Sequence, residues 1–181
     1  NDETLVKFDD VVFPDGFKLL DDSFYGKMAY EYLKSRGVTD SIIEKHNIGY
    51  VMSNDWLNKK VLIPSYDMYG DLNYWVARDF TNTSKYKIVN AKERKDDIVF
   101  NERFVNWYEP ITLVEGPFDH IVTPNSIPLL GKTLKEDSFL YRSLYDKSHC
   151  LINIMLDSDA DGNVSKIYKL LNSGRLNGKI R

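Results

Sequence analysis

Cysteine, long apolar runs and an excess of basic charge are what this 181-residue sequence lacks. Its one cysteine, Cys150, excludes a disulfide framework and a cysteine-ligated zinc site within the chain, and its three histidines have no metal-ligand spacing. No apolar run approaches the roughly twenty residues needed to span a bilayer, and no signal-peptide pattern opens the sequence. We therefore expect a soluble globular protein with no membrane partner.

Charge is the main argument against a nucleic-acid partner. The 24 basic and 27 acidic residues give a net charge of −3, whereas strong nucleic-acid binders are usually basic. Basic residues nevertheless cluster at 85–103, although Asp96 and Asp97 dilute this cluster and such runs are usually solvated loops. A local positive groove beside an acidic pocket therefore remains compatible with the sequence. The hydrophobic fraction of 43% is enough for the core of one large domain or two small ones.

The stretch DSDADG (157–162) has carboxylates at alternate positions followed by a glycine, which is how a calcium-binding EF-hand loop begins. Such a loop also needs a bidentate glutamate at its twelfth position, which is Tyr168 here, and no acidic residue follows Gly162. The preceding CLINIML (150–156) is a continuous apolar run, which predicts a buried strand and not an entering helix. The sequence therefore does not predict a calcium loop.

Carboxylates follow two predicted strands at the same relative place. Asp157 and Asp159 alternate after 150–156 and would point to the same side of an extended chain, while Glu115 follows the apolar run 111–114. Because parallel strands collect ligands beyond their carboxyl ends, neighbouring strands would bring these carboxylates together around a hard divalent cation. The alternative is an acidic turn that only caps the next helix.

Strand and helix signals alternate in the second half of the chain, which predicts a mainly parallel sheet covered by helices on both faces. The first half instead predicts a helix followed later by a β-hairpin. The predicted helices cover 23–36, 118–124, 134–145 and 163–173, and the predicted strands cover 111–114, 126–131 and 150–156, with the hairpin at 60–80.

An isolated Glu-Gly after a strand, followed by a strand that ends in Asp-x-Asp with a glycine close behind, resembles the Toprim domain of bacterial-type primases, topoisomerases and some nucleases. Four further segments resemble, in the family's order, parts of the primase polymerase core: YLKSRGVTDSIIEKHNIGYV (32–51), KVLIPSYDMYGDLNYWVARDF (60–80), SKYKIVNA (84–91) and IVFN (98–101). The proline of EGPFD (115–119) and the short connections resemble the bacteriophage members most. This ordered set of motifs is specific to the family.

The resemblance implies an α/β fold in which a Toprim-type, mainly parallel sheet flanked by helices is preceded by a smaller mixed α/β subdomain. We expect a linker at 1–24, the amino-terminal subdomain at 25–108, and the Toprim catalytic subdomain at 109–181, truncated at its carboxyl end. In the family a zinc ribbon precedes this core and a helicase-contacting part follows it. We therefore expect the chain to be a piece of a longer protein.

The resemblance also implies a function, that of a DNA primase core. Such a nucleotidyltransferase synthesises short RNA primers on single-stranded DNA from ribonucleoside triphosphates, with Mg²⁺ or Mn²⁺ as cofactor. The expected partners are the DNA template, the ribonucleotides and a replicative helicase, contacted through regions outside this chain. The expected catalytic residues and metal ligands are Glu115, Asp157 and Asp159, with Asp119 and Asp161 as further metal ligands and Arg36, Arg78, Lys85 and Asn90 as nucleotide or template contacts.

The sequence departs from the family pattern at three places: Asn101 stands near where many relatives have a lysine, Lys132 replaces a small or hydroxyl residue, and Asp161 replaces a small one. Two other functions also fit the motifs. A Toprim-type nuclease would use the same carboxylates to cleave a strand, and a non-catalytic module would dock a replication partner. We expect a cytoplasmic location, which is the host cytoplasm for a viral protein.

Overall fold

The computed structural model describes residues 11–181. The strands are β1 (Phe17–Leu19), β2 (Gly49–Val51), β3 (Lys60–Tyr66), β4 (Leu72–Asp79), β5 (Ile88–Asn90), β6 (Ile111–Val114), β7 (Ser126–Pro128) and β8 (Ile152–Met155). The α-helices are α1 (Phe24–Ser35), α2 (Asp40–His46), α3 (Pro117–Val122), α4 (Phe139–Lys147) and α5 (Asp161–Leu171). Within the described residues, no helix is long and apolar enough to cross a membrane.

The strands form two sheets of opposite kinds. Strands β1 to β5 form a five-stranded antiparallel sheet in chain order, and the predicted hairpin is the β3–β4 pair at its centre. Strands β7, β6 and β8 form a three-stranded parallel sheet in that order, with helices in the connections. The predicted fold class, an α/β chain with a helix-flanked parallel sheet after an antiparallel part, is confirmed. The antiparallel sheet has more strands than the parallel one.

The expected linker at 1–24 is only partly within the described residues, since 1–10 lie outside them. Its later part contains β1, which pairs antiparallel with β2 and so forms the edge of the first sheet. At the other end of the chain, Ile180 forms a parallel bridge with Ile152 of β8. Both ends of the described chain therefore add backbone pairing to a sheet.

Two predicted boundaries in the second half of the chain are wrong by more than two residues. The strand predicted at 126–131 ends at Pro128, because Leu130 and Gly131 have positive φ angles of 53° and 146°, which a continuing strand cannot contain. The helix predicted at 134–145 begins at Phe139, because the Ser138 side chain caps it by accepting a hydrogen bond from the Tyr141 amide at 3.1 Å. The loop 129–138 between these elements passes the carboxyl ends of the parallel strands.

The hydrophobic core consists of two clusters, each of which takes residues from both halves of the chain. The first cluster fills the antiparallel sheet and includes Ile121 of α3, with Phe118 packed against it. The second cluster covers the parallel sheet and includes Val99, with Trp107 packed against it. Helix α3 connects two strands of the parallel sheet but buries its apolar side chains in the core of the antiparallel sheet. The segment 98–107 contributes apolar side chains to both cores, so both elements join the two sheets.

A buried polar network crosses the same junction. The Asn101 side-chain nitrogen lies 3.3 Å from Nδ1 of His46 and 3.3 Å from Nε2 of His120, and the amide donates to both rings. Nδ1 of His120 then donates to the Ser126 hydroxyl at 3.1 Å, and the backbone amide of Asn101 donates to the Ser65 hydroxyl at 2.8 Å. Both imidazoles therefore accept a hydrogen bond in their neutral forms. Burial lowers the pKa of His46 to about 4 and that of His120 to about 3.

Candidate active site

Three carboxylates meet where two neighbouring parallel strands end. Glu115 directly follows β6, and Asp157 and Asp159 follow β8. Strands β6 and β8 pair in parallel with Val114 opposite Met155, so their next residues leave the sheet at the same edge. One carboxylate oxygen of each residue lies within 4.8 Å of the other two. We call these three residues the acidic cluster.

The acidic cluster has the donor set of a hard divalent cation. Oε2 of Glu115 is buried and has no hydrogen-bond partner among the described residues, which is costly for a carboxylate oxygen unless a cation or proton meets it. Asp157 and Asp159 are exposed and can turn toward an ion. Mg²⁺ is bound in proteins by one or two carboxylates and retains several waters, so this cluster fits such an ion.

Lys132 carries a positive charge into the acidic cluster. Its ammonium group donates to Oδ2 of Asp159, and this hydrogen bond lowers the pKa of Asp159. The same hydrogen bond, followed by the charges of Asp159, Glu115 and Asp157, raises the pKa of Lys132. Both partners are therefore held in their ionised forms at neutral pH.

Asp119 and Asp161, the two further ligands expected from the sequence, lie outside the acidic cluster. Oδ2 of Asp119 accepts a hydrogen bond from the Gly116 amide at 3.1 Å, which stabilises the first turn of α3. Asp161 is the first residue of α5 and is exposed. A negative charge at the amino-terminal end of a helix stabilises it by interacting with the helix dipole. Each has a local role at a helix start.

A cavity of about 440 Å³ opens beside the acidic cluster. Its lining includes the carboxylates Glu115, Asp119 and Asp157 together with Arg36, Arg78 and Asn90, so acidic and basic side chains share one cavity. Arg36 follows α1 and Arg78 belongs to β4. Three of the four nucleotide or template contacts expected from the sequence therefore share one cavity with Glu115 and Asp157.

The ring of Phe118 positions both arginines. The Arg36 guanidinium carbon lies 5.1 Å from the ring centroid and that of Arg78 lies 5.9 Å from it. A cation above an aromatic face is attracted by the ring quadrupole, and the planar guanidinium remains able to form a bidentate contact with a phosphate. Phe118, on the first turn of α3, thus holds both arginines beside the helix that follows Glu115.

Lys85, the fourth expected contact, does not line this cavity. Its ammonium lies 5.9 Å from the centroid of the neighbouring Tyr86 ring, and both side chains are exposed. The structure therefore separates Lys85 from the other expected phosphate contacts.

Sequence reasoning did not assign roles to Phe118 or Lys132. Phe118 stands within the EGPFD motif, but its position after Gly-Pro at a helix start does not reveal that two distant arginines stack on it. The signal for Lys132 was its departure from the family's small residue. Its ion pair with Asp159 depends on a loop whose course the sequence did not predict.

The sequence matches no family model and no curated protein. Solved structures with the same fold do exist. The Aquifex aeolicus primase, in a structure of its zinc-binding and RNA polymerase domains, matches with a TM-score of 0.69 and 21% identity, over 84% of this chain and 48% of that one. The primase fragment of the bacteriophage T7 primase-helicase protein matches with a TM-score of 0.63 and 18% identity, over 82% and 62%.

A DnaG primase catalytic domain bound to single-stranded DNA matches with a TM-score of 0.65 and 16% identity, over 83% of this chain and 62% of that one. The fold is that of DnaG-type primase catalytic cores. This chain spans about half of the Aquifex primase structure and about three fifths of the other two. In this primase-core fold, the acidic cluster and the arginine-lined cavity lie side by side.

Proposed function

We propose that the chain is the catalytic core of a phage-type DNA primase of the Toprim family, which makes short RNA primers on single-stranded DNA during DNA replication. One observation carries the proposal. Glu115, Asp157 and Asp159 converge at the ends of two adjacent parallel strands, beside a cavity lined by Arg36 and Arg78. Nucleotidyl transfer requires carboxylates that hold a metal ion and, next to them, positively charged side chains that bind a phosphate.

Each side chain then has a separate task. Glu115, Asp157 and Asp159 would hold Mg²⁺ or Mn²⁺, which when bound supplies charge neutralisation at the phosphates and activation of the attacking hydroxyl. Arg36 and Arg78, set by Phe118, would bind and orient the phosphates of the incoming nucleotide. Asn90, which lines the same cavity, would contribute a neutral hydrogen bond.

The partners follow from this function. The DnaG domain that matches this fold is described as bound to single-stranded DNA, and the T7 match comes from a primase-helicase protein. We propose single-stranded DNA and ribonucleoside triphosphates as ligands of this chain, with a replicative helicase as the partner of the whole protein. We further propose that it acts in the cytoplasm, which is the host's for a phage protein.

Arg78→Ala should weaken nucleotide or single-stranded DNA binding roughly tenfold, because it removes one bidentate phosphate contact. Lys85→Ala should weaken DNA binding less, since its exposed ammonium lies outside the cavity. The measurement is fluorescence anisotropy with labelled oligonucleotide at two salt concentrations, because phosphate contacts release counterions. Arg78→Lys, which retains charge without the bidentate geometry, should fall between parent and Arg78→Ala. Unchanged binding in both alanine variants would remove Arg78 and Lys85 from the proposed site.

Primer synthesis tests the function directly. The full-length protein, extended at both ends of this chain, is incubated with single-stranded DNA, labelled ribonucleotides and Mg²⁺, with a parallel sample in EDTA, and the products are separated by size. Short RNA products that require Mg²⁺ are the expected result. Shortened DNA would instead identify a nuclease, and the absence of any metal-dependent product would favour the non-catalytic binding module.

A further inference from the structure

Lys132 is the counter-ion of the acidic cluster. Within the described part of the chain, the acidic cluster forms one ion pair, which joins Lys132 and Asp159. The lysine side chain is about one-third exposed, with 34% of its surface accessible, whereas Asp159 is 72% exposed. The two partners therefore meet at the exposed part of the cluster, whereas Oε2 of Glu115 is buried.

Hydrogen bonds fix the loop that carries Lys132 to the cluster. The amide of Leu129 donates to the Val114 carbonyl at 2.8 Å, and the amide of Gly131 donates to the Glu115 carbonyl at 3.2 Å. Lys95 donates to the Leu130 carbonyl at 3.1 Å from the other side. Because the residue before Lys132 is bonded to the backbone of Glu115, the ammonium reaches the carboxylates from a fixed point and not from a free loop.

A divalent cation and the Lys132 ammonium would compete for the same oxygen. A cation that uses Asp159 must break this ion pair or accept a positive charge close by, and both reduce its affinity. Among residues 11–181, the buried oxygen of Glu115 has no such partner. The carboxylates of Glu115 and Asp157 are therefore available to a cation at lower cost than Asp159 is.

We propose that Lys132 tunes the metal affinity of the acidic cluster: it occupies Asp159 as a resident cation, so that the first divalent cation binds through Glu115 and Asp157 against the lysine's charge. This inference rests on the proposed metal-dependent function and adds a positioning residue to it. Without metal, the lysine stabilises the folded state by balancing one of the three negative charges. With metal, its charge keeps cation binding weak and reversible.

The test is Mn²⁺ binding, measured by electron paramagnetic resonance and by calorimetry on the parent and three variants. Lys132→Met, which keeps the length and removes the charge, should bind Mn²⁺ roughly tenfold more tightly, because removing one nearby positive charge in a half-exposed site relieves repulsion of about that size. Lys132→Arg should bind like the parent. Lys135→Met is the matched control, since Lys135 lies in the same loop but pairs with Asp96, and it should also bind like the parent.

Thermal unfolding in EDTA is a second readout that does not depend on activity. Lys132→Met should melt at a lower temperature than the parent without metal, and should gain more from added Mn²⁺. Mn²⁺ affinity of Lys132→Met equal to or weaker than that of the parent would overturn the proposal. If the parent makes primers and binds Mn²⁺ in that case, the role of Lys132 alone is wrong. If neither the parent nor Lys132→Met binds Mn²⁺, the metal-dependent function fails with it.

Discussion

Asp157→Asn should abolish Mg²⁺-dependent primer synthesis, with a loss of about a hundredfold or more, while the melting temperature in EDTA stays equal or rises by a few degrees. The two effects have one cause. Three carboxylate oxygens lie within 4.8 Å of one another, and one lysine among the described residues balances them, so removing a charge relieves repulsion in the metal-free fold. The same change removes a ligand. Primer assays and thermal melts of the parent and the variant measure both quantities.

Added metal should separate the two proteins further. A ligand that binds only the folded state stabilises it by about 2.7 kcal/mol at a concentration one hundred times its dissociation constant, so Mg²⁺ or Mn²⁺ should raise the melting temperature of the parent. Asp157→Asn should gain much less. Asp161→Asn is the matched control, because Asp161 lies outside the acidic cluster, and it should be mild in both assays. If Asp161→Asn were as damaging as Asp157→Asn and Ca²⁺ bound tightly, the stretch 157–162 would be a calcium loop. The primase proposal would then lose the catalytic metal site on which it rests.

Acid should destabilise the protein through the buried histidine pair. His46 and His120 have folded-state pKa values of about 4 and about 3, below the value of about 6.5 for an unfolded chain. The unfolded state therefore binds more protons, and the stability present above pH 6.5 is lost as the pH falls toward the folded-state values. At pH 5 the loss is about 2 kcal/mol for each histidine. Urea unfolding at several pH values between 5 and 8, in EDTA, measures it.

Replacing both histidines tests the origin of this pH dependence. Glutamine keeps an acceptor for the Asn101 amide but does not titrate, so the double variant His46→Gln, His120→Gln should show a much flatter slope between pH 5 and 6.5. His149→Gln is the control, since His149 is exposed and stacks on Tyr108 away from the network. A double variant as acid-sensitive as the parent would assign the slope to carboxylates instead.

The acidic cluster could be predicted from the sequence because a local rule places it. Apolar runs that end in carboxylates indicate strands with acidic ends, and in a parallel sheet those ends share one edge. Glu115 and Asp157 therefore come together whatever the details of the connecting loops. The alternation of strand and helix signals predicted the parallel sheet for the same reason, since each signal depends on a few consecutive residues.

Other features depend on backbone conformations and distant contacts that no local pattern encodes. The strand predicted to reach residue 131 stops because Leu130 adopts a left-handed conformation, and this turn places Lys132 on Asp159. The histidine pair forms because Asn101, also left-handed, inserts its amide between residues that are 74 positions apart in the sequence, at 46 and 120. Spacing along the chain suggested no histidine site, and only the folded chain brings the two rings together.

Helix α3 has a consequence for how the molecule unfolds. It starts two residues after Glu115, yet its Ile121 is buried in the core of the antiparallel sheet. A segment cut at 108 would leave that apolar face bare and would also remove Val99 from the other core. The two sheets should therefore melt in a single cooperative transition, with no stable half. Because Glu115 lies two residues before this helix, local opening at the junction would also move Glu115 away from Asp157 and Asp159. The arrangement of the three carboxylates therefore persists only while both cores remain intact.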